Sequence, residues 1–413
     1  MAFVNRRAIN RGEVVKRIFC ALLTREHVLL QARTGVGKSL LANQVFELFE
    51  GANLFQVQAS KEQQPDTYFG ALDLDELKKG RIIHNTEGSL VESEFAFIDE
   101  IFDANDYTLR ALLTLLNERR LVRGVQNVPA KIHTVVAAAN YARITQVTEA
   151  LLDRFLYKAV IEPDRDPFFM YRISQQFVLH RGKTAVPDAR ISLTMLKRLS
   201  SIVRGEAEDV VVSVPMPTLF FANLVLRHYE SLYRQYNRQR GAAAGQVDFY
   251  ISPRTQAKAL DALRAIAIMN GRLEVLPEDV GKLHIMVTTA GLRDEYDLFK
   301  KAYGSLRKHY DASHAFEQLA RLLELQDVLD RVTDDPALLE QPIDQVASAH
   351  VKRTLREWAK EKLGLGETGP EHNRRLLIAY LDGMNPLTDE IRSLKLRLRE
   401  EVLHLYDDDE LWQ

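Results

Sequence analysis

The stretch "VLLQARTGVGKSLLANQ", residues 28–44, decides the fold. Residues 27–32, "HVLLQA", form a short apolar run with no helical period and read as a fully buried strand. A glycine-bearing break follows, and a helix is expected to begin at about Lys38. A strand that feeds a helix through such a loop aims successive backbone N–H groups, and the positive end of the helix dipole, at one spot suited to a phosphate. Gly35 and Gly37 keep Cβ atoms out of that spot, Lys38 would reach the β and γ phosphates, and Ser39 would place its hydroxyl on Mg²⁺. The expected nucleotide cradle therefore runs through Ala32, Arg33, Thr34, Gly35, Val36, Gly37, Lys38, Ser39 and Leu40. It departs from the usual GxxxxGK[ST] pattern at Ala32, which stands where the first glycine belongs.

A second apolar strand, "FAFIDE" at residues 95–100, ends in two carboxylates. In that position Asp99 would hold Mg²⁺ and Glu100 would polarise the water that attacks the γ-phosphate. A third strand, "HTVVAAAN" at 133–140, ends in Asn140, whose amide could orient the same water. Next, "EALLDRFLYKAVI" carries Asp153 and Arg154 on a helix that runs into a last strand. Arg154 has no evident partner within its own subunit, and in a ring it could reach a neighbour's site as an arginine finger.

These motifs resemble an AAA+ ATPase, and specifically the MoxR family with its RavA-type members. The resemblance rests on "ARTGVGKS", "FAFIDEI" and the segment 65–100 with its landmarks Gly70, Gly80, Arg81 and Gly88, which is similar to the family's helix-2 insert (about 59–94). It rests also on "TLRALLTLLNERRLVRG" at 108–124, similar to the following helix and hairpin, and on "YISPRTQAKALDALRAIAIMNGRLEVLPEDV" at 250–280, similar to the sensor-2 helix. The resemblance implies that Asn140 is sensor 1, Arg154 the finger and Arg254 the sensor-2 arginine. It further implies a homo-hexameric ATP hydrolase with ATP and Mg²⁺ as cofactors. The implied client is a protein, often one with a von Willebrand factor A domain, acted on in chaperone-like fashion.

Strands at about 27–32, 53–58, 95–99, 133–139 and 156–161, separated by helical stretches, independently predict a parallel αβα sandwich with its ligand at the carboxyl ends. The expected organisation is an AAA+ core over 1–163, a helical lid over 164–290 and a mostly helical carboxyl-terminal region over 291–413. In the lid, Pro253 suits a helix start, and Ala257, Leu260, Leu263, Ala267 and Ile268 are the expected buried stripe. An arginine at a helix amino end is disfavoured by the dipole, so a phosphate partner for Arg254 would offset that cost. Residues 165–250 match no motif, and their end, "RQRGAAAGQ", reads as a loop. Helical hairpins are expected from about Leu292, weakly interrupted at Gly304, then a connector "TDDPALLEQP" (333–342) and further helices. The stripe Ile391, Leu394, Leu396, Leu398, Val402 and Leu405 is expected to pack within the chain, and the acidic end "DDDELWQ" to be solvated.

Lysine and arginine number 55 against 57 acidic residues, which argues against a general nucleic-acid-coating role. In the insert, Lys61, Lys78, Lys79 and Arg81 are outnumbered by Glu62, Asp66, Asp73, Asp75, Glu76, Glu87, Glu92 and Glu94, which disfavours a motor that tracks phosphates. The competing readings are that nucleic-acid motor or loader, and a nucleotide-gated scaffold with slow hydrolysis. No run reaches membrane-spanning length and no signal peptide is evident, so a cytoplasmic location is expected. The single cysteine, Cys20, lies on an apolar face and is expected in the core, and the scattered histidines have no ligand spacing. Arg119, near the expected subunit interface, is a second candidate for contact with a neighbour.

Overall fold

Each apolar run of the sequence becomes a strand of one parallel sheet in the computed structural model. The structure describes all residues except 1, 34, 141–145, 164, 181–189, 240–249, 314, 336, 339–369 and 406–413. Thr34, the expected loop at 240–249, half of the expected connector, the helix expected over 351–366 and the acidic end thus lie outside the described residues. Two compact units are present: Met1–Val214 with Ala222–Tyr303, and Pro215–Phe221 with Gly304–Gln413.

The strands of the first unit are β1 (Val28–Ala32), β2 (Phe49–Glu50), β3 (Leu54–Gln58), β4 (Phe95–Asp99), β5 (Arg120–Arg123), β6 (Gln126–Pro129), β7 (Thr134–Ala139), β8 (Tyr157–Ile161), β9 (Ile191–Ser192) and β10 (Thr289–Ala290). Six of them form the main sheet in the order β10-β8-β1-β7-β4-β3, all parallel. β2 pairs with β9, and β5 with β6 form an antiparallel hairpin. Every residue of β7 and four of the five in β4 are buried, as a parallel sheet covered on both faces requires. β3, at the sheet edge, alternates exposed and half-buried. β10 is too short for its sequence to announce it.

Two contacts tie the amino end of β1 to its neighbours. His27, just before β1, accepts a hydrogen bond at Nδ1 from the Val135 N–H (3.1 Å) and donates from Nε2 to the Leu116 carbonyl (3.2 Å). Because Nδ1 is an acceptor, the ring must be neutral with its proton on Nε2. Burial, reinforced by the Arg119 guanidinium, holds His27 well below its ordinary pKa. Burial and the same arginine push His133 down to about 3.

The helix Gly12–Thr24 packs against the helices Leu193–Val203 and Pro253–Met269. Cys20 is buried there beside Met269, and burial pushes its thiol up to about 12, so it is core as expected. Pro253–Met269 begins where the sequence places it: Ser252 caps it by accepting from the Thr255 N–H at 3.2 Å, and Pro253 occupies the first turn. Its buried face is rotated from the expected one. Ala259, Ala262, Leu263, Ala265, Ile266 and Ala267 are buried, whereas Ala257 is exposed and Leu260 and Ile268 are half-buried. Small alanines fit the close approach of three helices, a packing constraint that a hydropathy stripe does not carry.

In the second unit, Ala315–Asp334 and Pro370–Gly383 both pack on Asp389–Leu405, around an aromatic group of Phe221, Tyr310 and Phe316. Ile391, Leu394, Leu398 and Val402 are buried as expected; Leu396 is instead exposed because it falls off the 3.6-residue stripe, and Leu405, on the stripe, is half-buried at the last residue of the helix. The expected break at Gly304 is absent: one helix runs from Arg293 to Ser313, the cost of one interior glycine being small against 21 helical residues. Among the described residues no helix is long and apolar enough to cross a membrane.

Acid should destabilise this fold. Both imidazoles are depressed in the folded chain, so the unfolded chain protonates first. Their contribution is complete above the ordinary value of 6.5 and is lost as the pH falls, for His133 down to about 3. Each adds a slope of up to about 1.4 kcal/mol per pH unit inside its window. Urea midpoints measured from about pH 7.5 to 4.5 check this: His133→Gln should flatten the slope, and an unchanged slope would show that the buried ring accepts a proton at no cost.

Candidate nucleotide site

The loop after β1 is built on glycine at two places. Gly35 (φ 87°) and Gly37 (φ 83°) adopt the left-handed conformation, which costs other L-residues roughly 1–2 kcal/mol. Ala32 is not among the residues with positive φ; it is the last residue of β1, paired with Ile161 and buried. The position therefore demands extended backbone, which alanine adopts without strain. The helix Lys38–Phe46 begins with no side-chain cap and no acidic residue in its first turn, so its amino-terminal N–H groups are left for an anion. Ser39 and Leu40 are exposed on that first turn.

Strand register does the rest. β1 pairs Gln31 with Ala139 of β7, so Asn140 emerges beside Ala32, and β4, on the far side of β7, delivers Asp99 and Glu100 to the same edge. Lys38 Nζ, only 6% exposed, lies 3.3 Å from Asp99 Oδ1, donates to Glu100 Oε1 at 3.1 Å and to Asn140 Oδ1 at 2.9 Å, and reaches the Ala32 carbonyl at 3.4 Å. The Asn140 backbone N–H donates to Glu100 Oε2 at 3.0 Å. Glu100 itself has φ 53°, a left-handed residue that is not glycine, held by these two contacts. One ammonium thus faces two carboxylates, a negative balance that a divalent cation between carboxylate and phosphate would reverse. Among the described residues no cluster of three or more His, Cys, Asp or Glu could hold a metal by itself.

Gly35, Val36 and Gly37 line a cleft of about 480 Å³ whose walls include Ile9, Leu41, Ile161, Met170 and Ile173. Its charged lining residues are Arg7 and Arg11, with no carboxylate. An apolar slot beside an anion cradle suits an organic base carrying phosphates. Sequence reasoning missed these wall residues. Met170 and Ile173 belong to the helix Pro167–His180, in the stretch where no motif was legible. A larger cleft of about 740 Å³, lined in part by Arg17, His284 and Tyr296, contains none of the expected site residues.

Three arginines stand apart from the Lys38 group. Arg154, expected without a partner, pairs with the adjacent Asp153 at 2.8 Å, although its Nε is buried without a hydrogen bond. Arg254 donates to Asn117 Oδ1 at 2.8 Å, and one turn further along its helix Lys258 pairs with Glu26 at 3.0 Å. Glu26 leads into β1, so Arg254 sits by the amino ends of the strands, about 16 Å of strand away from the Lys38 end. Arg119 is not available to a neighbour as expected. Its guanidinium donates to the carbonyls of Arg25, Ile132 and His133, and burial brings its pKa down to about 10.

Comparison with known proteins gives the following likenesses. Residues 1–198 match the family model described as the MoxR domain in the MoxR-vWA-beta-propeller ternary systems. "Uncharacterized protein MJ0079" of Methanocaldococcus jannaschii is 25% identical over 273 residues, 66% of this chain and 64% of that protein. "Uncharacterized protein MJ0812" of the same organism is 31% identical over 154 residues, 37% of this chain and 41% of that protein. The matches thus span less than two thirds of either relative. "Chaperone MoxR1" of Mycobacterium tuberculosis is 28% identical over 291 residues, 67% of this chain and 70% of that protein. A crystal structure of a proposed ATPase from Cytophaga hutchinsonii has a TM-score of 0.56 at 16% identity and covers 74% of this chain and 92% of that one, a likeness of fold.

Replacing Lys38 by methionine should lower the stability of the nucleotide-free chain by about 1–3 kcal/mol, because it leaves the mostly buried Glu100 carboxylate beside Asp99 with no cation. Adding Glu100→Gln should recover part of the loss. Urea denaturation of the single and double variants measures both, and a Lys38→Met chain as stable as the parent would show that the group contributes nothing to the fold.

Proposed function

We propose, from the premise that this chain belongs to the MoxR family of AAA+ ATPases, that it hydrolyses ATP within a ring of identical subunits and uses the cycle to remodel a protein partner. The observation that carries the reading is the convergence of Lys38, Asp99, Glu100 and Asn140 at one edge of the sheet, beside a glycine-built anion cradle.

In this mechanism the loop N–H groups and Lys38 bind and align the phosphates. Ser39 and Asp99 would hold Mg²⁺, which would supply neutralisation of the phosphate charge. Glu100, fixed through Oε2 by the Asn140 N–H, accepts a proton from the attacking water, and the Asn140 amide orients that water. Lys38 moves from the carboxylates to the phosphates as the nucleotide enters, which frees Glu100 to act as a base. Ile161, Met170 and Ile173 enclose the adenine.

Arg154 and Arg254 complete the site of an adjacent subunit. Neither contacts the Lys38 group of its own chain, and Arg254 lies at the opposite end of the strands. A head-to-tail ring, six-membered in our reading, brings such opposite ends together. The client is a protein, and a von Willebrand factor A domain protein is the first candidate because the matching family model is described in such ternary systems.

Two inactive chains test this reading. Glu100→Gln should bind ATP and assemble, as read by light scattering with ATP and Mg²⁺, yet hydrolyse nothing measurable. Arg154→Ala should assemble and lose about 10³-fold or more in turnover. Mixing them should restore activity, because a mixed interface pairs an intact Glu100 with an intact Arg154. A mixture as inactive as its parts, or a chain that stays monomeric with nucleotide, would overturn catalysis between subunits.

A further inference from the structure

A second polar cleft, of about 420 Å³, lies at the amino ends of β1 and β7, away from the Lys38 site. Arg25, Arg119, Arg204, Arg254 and Lys258 line it, against a single lining carboxylate, Glu26, which is already bound to Lys258. Arg119 is committed to carbonyls, and Arg204 pairs through Nη1 with Glu206 at 2.6 Å while its Nε is buried with no hydrogen-bond partner. Arg25 has neither a hydrogen bond nor an ion pair for its guanidinium among the described residues, although it is half-buried.

The backbone of Arg25 makes this arrangement more pointed. It is the C-cap of the helix Gly12–Thr24 in the left-handed conformation (φ 56°), where glycine is the residue without strain. An arginine is kept in a strained position, facing other cations, with no hydrogen bond or ion pair to its guanidinium among the described residues, although Glu206 and Glu26 partly offset the cationic field. The same field is felt by its neighbours: burial first, and then Arg119 and Arg25, suppress protonation of His133. Little of the cleft wall is apolar, so the arrangement suits a compact polyanion rather than an organic body, and guanidinium forks match phosphate oxygens.

We propose that this cleft is a phosphate-binding pocket anchored by Arg25, with Arg204, Arg254 and Lys258 completing it. The phosphate comes either from a free phosphorylated small molecule or from a nucleotide held by a second copy of the chain. The second source rests on the ring reading given above; the pocket itself does not.

The test uses the full chain carrying Lys38→Ala, which silences the P-loop, titrated calorimetrically with tripolyphosphate at low salt. Binding that weakens by about tenfold or more in an added Arg25→Gly, and is largely kept in Arg25→Lys, supports the pocket with a free ligand. Arg25→Gly should not lower the melting temperature, since glycine relieves the strained cap; Arg204→Gln serves as an independent variant should it do so. If the dilute chain binds no tripolyphosphate but Arg25→Gly lowers kcat of the assembled wild-type P-loop protein with KM unchanged, the phosphate is a neighbour's. Failure of both readouts overturns the proposal. Tripolyphosphate binding alongside a failed complementation of Glu100→Gln with Arg154→Ala would remove only the ring.

Discussion

The contact on which the site depends is the buried ammonium of Lys38. It draws together a carbonyl at the end of β1, two carboxylates at the end of β4 and an amide at the end of β7, the last 102 residues from Lys38 in sequence. That meeting is possible only because the strands are parallel and in one register. Shifting β7 by one residue against β1 would turn Asn140 to the other face and take the amide from Lys38. Because β1, β4 and β7 are buried on both faces, hydropathy alternation does not set the register, and close packing of their side chains against both covering layers does.

The two ends of the same strands carry opposite electrostatics. At the carboxyl ends, two carboxylates outweigh one lysine beside an uncapped helix. At the amino ends, five cationic side chains surround one carboxylate. A monomer gains nothing from this polarity, because about 16 Å of strand separates the ends. Copies stacked head to tail would place one end against the other, the physical motive for reading Arg254 as a residue that acts on a neighbour. The cost of the cationic end is visible within the chain, in the lowered pKa of Arg25 through burial and Arg204 and in two histidines held neutral.

The candidate site was legible in sequence to the extent that its residues are local. The glycines of the loop, Lys38 and Ser39 are consecutive, and Asp99, Glu100 and Asn140 each close an apolar run that can only be a buried strand. The arginines were legible as candidates and not as placements. Arg119 looks like a surface arginine in sequence, yet its left-handed backbone and three carbonyl partners make it a brace between the starts of β1 and β7. The slot walls Met170 and Ile173 carried no signal, since an apolar residue on a short helix reads the same whether it lines a ligand or a core. The lid stripe was legible at Leu263 and Ala267 but not at Ala259, Ala262 and Ala265, because close helix packing selects alanine, which hydropathy hardly marks.

The sequence by itself determined the strands, the glycine-built loop and the polar residues that close the strands beside it, because these follow from short-range rules: apolar runs bury, and glycine permits positive φ. Only the tertiary structure decided which end of the sheet each arginine occupies and how the cations share their partners. Those outcomes depend on strand order, register and helix packing, which join residues far apart in the chain, so no local stretch encodes them.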